Sequence, residues 1–172
     1  MATREVLLLG NPELYEISDP IGKQELGQIK ELASDLHDTL MDFRKRWGVG
    51  RAIAAPQIGV MKRLIYMNTG LPAVLINPVL DQQSQDTMEL WDDCMCFPDL
   101  LVRVRRCKSC RIRYCNLDWD EEEMHLGDDL SELLQHEYDH LDGILAVSRA
   151  VDGHSFALRS QRQFPGGSGT GA

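Results

Sequence analysis

The run QHEYDH at residues 135–140 constrains this chain more than any other feature. On an α-helix, residues four apart lie on one face, so His136 and His140 can converge on one divalent metal while Glu137 faces the water to be activated. The spacing therefore asks for a helix with one face turned to a hydrolytic site.

The third ligand sorts the possibilities. In the HEXXHXXGXXH pattern the chain keeps Gly143 but has Ala146 in place of the last histidine, and no glutamate follows His140. Asp142, Asp152 and His154 remain downstream in no ligand pattern, which points upstream to Cys94 in WDDCMCFPDL. One Cys and two His, with a fourth position left for water, make a catalytic arrangement rather than a closed structural one.

Three motifs in order now resemble the peptide deformylases, which remove the formyl group from N-terminal formylmethionine. GRAIAAPQ at 50–57 stands for GXGXAAPQ, DDCMC at 92–96 for EGCLS, and QHEYDH at 135–140 matches QHEXDH in full. The likeness covers about residues 4–144. It implies Cys94, His136 and His140 as metal ligands, Glu137 as acid and base, and Gln57 with the Met95 N–H as oxyanion donors. It further implies a substrate groove lined by Gly50, Arg51, Ala52 and Asp93. By the same resemblance Fe2+ is the expected metal, with Zn2+ or Ni2+ able to take its place, and the partners are formylated peptide N-termini and the ribosome.

The resemblance implies an α+β fold, antiparallel or mixed sheets around a central HEXXH helix, with an N-terminal amphipathic helix. Leu26, Ile29, Ala33, Leu36, Leu40 and Phe43 recur at spacings of three and four and predict that helix over 23–46. GVGRAIAAPQIG reads as a cleft-lining loop, and strands are expected at 63–67, 74–76 and 87–90. The HEXXH helix should start near Asp128 or Asp129, as N-cap, and stop at Gly143. One metallohydrolase domain is expected over 1–164, with a flexible Gly/Ser-rich tail at 165–172.

At 172 residues and 43% hydrophobic, the chain can bury one core without staples. A net charge of −9 argues against nucleic-acid binding. No run is long enough to cross a bilayer and no N-terminal signal pattern is visible, so a cytoplasmic, reduced setting is expected for the five cysteines.

Between 102 and 115, Val102, Val104, Cys110, Ile112 and Tyr114 fall on one strand face and four arginines on the other. Arg106 sits on the apolar face and needs a carboxylate unless a bulge turns it outward. The resemblance supplies Asp92 as that partner. The pairs Cys94/Cys96 and Cys107/Cys110 form a rival zinc pattern, set aside because 107 and 110 point to opposite faces of a regular strand. DWDEEE at 118–123 lacks the glycine of a calcium loop and reads as a hairpin tip. His37, His125 and His154 have no ligand spacing.

The motifs also depart from the family pattern. Arg51 replaces an aliphatic residue, Ala52 and Asp93 replace glycines, and Met95 and Cys96 replace leucine and serine. Opposite charges at 51 and 93 suggest a pair across the groove that narrows it or reads a polar group. Other readings are an amidohydrolase acting on a different N-formyl or N-acyl amine, or a binding module without turnover.

Overall fold

In the computed structural model, which describes residues 2–162, helix α1 runs Leu26–Trp47 after a 3-10 turn at Lys23–Glu25. It buries Ile29, Ala33, Leu36 and Leu40 of the stripe that the spacing predicts, adds Leu32, and leaves Leu26 and Phe43 partly buried. The helix ends at Gly48, whose φ of 72° favours glycine. Arg44 in its last turn donates Nε to the Gly50 carbonyl at 2.9 Å and Nη2 to the Asn68 carbonyl at 2.7 Å. This clamp fixes the path of the chain toward the first motif.

The named strands pair in two antiparallel sheets. The larger contains β1 (Ala52–Ala54), β2 (Leu64–Asn68), β3 (Pro72–Asp81), β6 (Ser109–Cys115) and β7 (Glu121–Gly127), in that spatial order. The smaller contains β4 (Thr87–Asp92), β5 (Leu100–Cys107) and β8 (Phe156–Leu158).

Strands β1 and β2, and the Leu75–Ile76 stretch of β3, are covered on both faces, which explains their nearly continuous apolar runs. Successive side chains alternate in direction. Ala52, Ala54, Ile65, Met67 and Leu75 thus join Leu133, Leu134 and Leu141 of helix α2 (Asp128–Leu141). Ile53, Leu64, Tyr66 and Ile76 join Leu36 and Leu40 of α1. Each fully buried leucine or isoleucine contributes roughly 1.5–3 kcal/mol, so the core holds α2 firmly while its other face carries polar groups.

Several expectations change in detail. GVGRAIAAPQIG is not a loop throughout: Ala52, Ile53 and Ala54 pair with Met67, Tyr66 and Ile65, and Ala55–Ile58 form a 3-10 turn. The alanines are small enough to lie beneath α2. The segment 102–115 is two strands, because the chain turns at Lys108 from the small sheet into the large one. Gly127 is the N-cap of α2 and makes no side-chain cap. Asp128 and Asp129 lie in the first turn, where negative charge complements the helix dipole. Gly143 follows at φ 69°, and a Cβ there would come within 2.4 Å of the Tyr15 carbonyl oxygen. DWDEEE does lie at a hairpin, with the Asn116 Oδ1 accepting from the N–H groups of Asp118 and Asp120. The tail expected at 165–172 lies outside the described residues.

Candidate active site

Helix α2 presents His136, Glu137 and His140, all at most 1% exposed. The turn after β4 brings Cys94 against them. Cys94 Sγ lies 3.4 Å from His140 Nε2, which lies 3.3 Å from His136 Nε2. The three ligand atoms fall within 4.8 Å of one another, and among the described residues this is the group able to hold a metal ion. The rival Cys94/Cys96/Cys107/Cys110 cluster does not form such a group.

Each ligand is held from behind. Asp92 Oδ2 accepts from His136 Nδ1 at 2.8 Å, leaving Nε2 toward the cluster, the usual orienting device for a metal-binding imidazole. Arg106 is 3% exposed, on the inner face of β5 as its parity requires. Its Nη2 reaches Asp92 Oδ2 at 3.3 Å, the expected pair, and its Nη1 reaches Asp139 Oδ2 at 2.5 Å. Asp139 also takes two bonds from Arg149, at 2.6 and 2.7 Å. Gln135 bridges α2 to β5 through both the N–H and the carbonyl of Cys107, at 3.0 and 2.9 Å.

Gln57 sits in the 3-10 turn after β1. Its Oε1 accepts from the Ala54 N–H at 2.7 Å, which directs Nε2 to within 3.6 Å of both Cys94 Sγ and Cys96 Sγ. Met95, between these cysteines, sends its side chain into the core with Leu36 and Ile58. Gly50, at φ 126°, backs onto Leu40 and Phe43, and Ala52 lies beneath α2.

The charges at 51 and 93 meet partners that sequence reasoning did not anticipate. Arg51 pairs with Glu132, and Asp93 pairs with Arg159. The expected Arg51–Asp93 pair is corrected accordingly: α2 offers a carboxylate to one residue, and the chain after β8 offers a guanidinium to the other. Glu132, Asp139, Arg149 and Arg159 were all missed. Glu132 could have been found, since it precedes His136 by four and shares its helix face.

A metal binding here displaces protons that the buried Cys94 and His136 otherwise hold. Burial pushes the Cys94 thiol well above its usual range, with Cys96 adding to the effect. Burial and the neighbouring His136 hold His140 well below the usual range, so its imidazole is neutral. Burial opposes protonation of His136 too, but Asp92 outweighs it and lifts the group to about 9. Burial raises Glu137 to about 7. Neither carboxylate oxygen of Glu137 has a hydrogen-bond partner among the described residues. Buried polar groups are rarely left so. A soft thiolate and two imidazoles, converging beside an unengaged carboxylate, fit a divalent transition metal in its catalytic form.

A thiolate and an HEXXH pair on a buried helix define a metallohydrolase of the one-cysteine, two-histidine kind. The polypeptide deformylase family profile matches residues 3–155. The chain is 34% identical to peptide deformylase 1 of Prochlorococcus marinus (strain MIT 9313), over 96% of this chain and 90% of that one. In structure it resembles the Thermotoga maritima peptide deformylase, with a TM-score of 0.81 and 25% identity over 88% of this chain and 100% of that one. It also resembles a Met-Ala-Ser-bound class I type b peptide deformylase from Acinetobacter baumannii, with a TM-score of 0.79 and 27% identity, covering 86% and 98% of the two chains. The chain belongs to the polypeptide deformylase family, hydrolases acting on the formyl-methionine amide bond.

Proposed function

We propose that Cys94, His136 and His140 hold one divalent metal, and that Glu137 and Gln57 work beside it to remove the formyl group from peptide N-termini. The observation that carries this reading is a fully buried, unengaged Glu137 carboxylate next to three converging ligand atoms. A metal held there supplies the Lewis acidity that makes water nucleophilic near neutral pH.

Glu137 takes the proton as the water oxygen attacks the formyl carbon. The carbonyl oxygen gains charge, and the Gln57 Nε2–H and the Met95 N–H are the proposed donors to it, each such donor being worth about 2.7–4 kcal/mol at the barrier. Glu137 then returns the proton to the departing nitrogen as the C–N bond breaks. Formate and a free N-terminal amine result. A carboxyl raised toward neutrality by burial both accepts and returns a proton near pH 7.

Fe2+ is the metal of choice for this reading, with Zn2+ or Ni2+ alternatives, since imidazole and thiolate accept all three. The Met-Ala-Ser bound in the Acinetobacter structure supports peptide N-termini as ligands, and the ribosome is the proposed source of them. Asp92 and Arg106 are positioning residues behind His136, and Gly50, Arg51, Ala52 and Asp93 border the groove. The working unit is one domain over residues 1–164. No helix among the described residues is long and apolar enough to cross a membrane, and a cytoplasmic setting is proposed.

The test is anaerobic formate release from formyl-Met-Ala-Ser by the metal-loaded protein and by Glu137→Gln. The parent should turn over, and the variant should keep its metal while losing several orders of magnitude in kcat. Turnover of the variant within tenfold of the parent would remove Glu137 from the mechanism.

A further inference from the structure

Arg51 and Glu132 form an ion pair that the hydrolysis itself does not use. They lie 81 residues apart in sequence, Arg51 just before β1 and Glu132 on α2 one turn before His136. The Glu132 side chain is 3% exposed and that of Arg51 21%. Among the described residues only one oxygen of Glu132 is engaged: Oε1 accepts from Arg51 Nη2, whereas Oε2 is buried without a hydrogen-bond partner.

Two facts place the pair at the reaction centre rather than on a remote surface. Residues four apart share a helix face, so Glu132 stands on the face that carries His136. Both charges also lie within electrostatic reach of the Glu137 side chain.

Stability gives little reason to keep such a pair. Desolvating the two ions is costly, and apolar side chains of similar volume are commonly as stable or more so. A buried acceptor without a donor adds a further penalty. A ligand that brings an N–H or O–H to Oε2 would relieve it. Because Arg51 already balances the carboxylate's charge, a neutral donor suits this position better than a second cation.

We propose that Arg51 and Glu132 form a specificity element for the residue carrying the formyl group, favouring side chains that end in a neutral hydrogen-bond donor, such as an amide or hydroxyl, over purely apolar ones. The inference rests on the deformylase reading of the site and adds a substrate class to it. A site that hydrogen-bonds a substrate group rejects analogues lacking it more strongly than an apolar pocket discriminates by size.

The experiment compares kcat/KM for formyl-Gln-Ala-Ser and formyl-Met-Ala-Ser in the metal-loaded parent, Arg51→Val/Glu132→Leu and Glu132→Gln. The ratio of the glutamine to the methionine peptide should fall at least about tenfold in the double variant and several-fold in Glu132→Gln. Glu132→Gln keeps the shape of the side chain and decides the matter if the double variant fails to fold. A parent that hydrolyses the methionine peptide, with the ratio unchanged in the folded variants, would overturn the inference and leave the deformylase reading intact. Hydrolysis of neither peptide by the parent would overturn both.

Discussion

Replacing Arg106 by methionine should weaken the fold and the metal site together. The guanidinium is the cation between two buried carboxylates, 2.5 Å from Asp139 and 3.3 Å from Asp92. Methionine fills a similar volume without charge, so loss of packing is a minor part of the effect. Asp139 keeps both bonds from Arg149, and the damage concentrates on Asp92, left with His136 alone. Removing one partner of a buried pair costs about 3–5 kcal/mol. For a domain of this size that is roughly 6–20 °C in Tm. Because Asp92 orients the His136 ring, metal affinity should also fall about 10–100-fold. Thermal unfolding and a competition titration against a chromophoric chelator read the two effects separately. A Tm within about 2 °C of the parent, together with unchanged metal affinity, would refute the reasoning.

Other groups give sharper single readouts. Gln57→Leu should lower kcat on formyl-Met-Ala-Ser about 10²–10³-fold with metal content retained, measured well below the Tm because the Ala54 N–H loses its acceptor. A loss below threefold would show that Gln57 does not meet the developing charge. Chelating the metal should lower the Tm, since metal at 1,000 times its Kd stabilises the native state by about 4 kcal/mol. An identical Tm with and without metal would mean that no site is filled.

The parts legible in the sequence were those fixed by local geometry. Helical spacing alone brings His136, Glu137 and His140 together, and the stripe from Ile29 to Leu40 defines α1 in the same way. The parity of the strand also put Arg106 inside, although that parity concealed a turn. Val102 and Val104 before Lys108, and Cys110 and Ile112 after it, keep the same phase, so two strands in different sheets read as one. What stayed hidden depends on long-range approach. Arg51 meets Glu132 across 81 residues, and Asp93 meets Arg159 across 66. No local pattern encodes such partners, and charge complementarity alone suggested the wrong pair. β1 was missed because its three residues gain strand geometry from pairing with β2.

X-ray absorption by the metal-loaded protein tests the central claim most directly. One cysteine and two histidines should give one sulfur at about 2.3 Å and two nitrogens at about 2.0–2.1 Å if zinc is the ion used, and the sulfur shell should vanish in Cys94→Ser. A first shell of nitrogen and oxygen only, identical in the parent and in Cys94→Ser, would contradict the account.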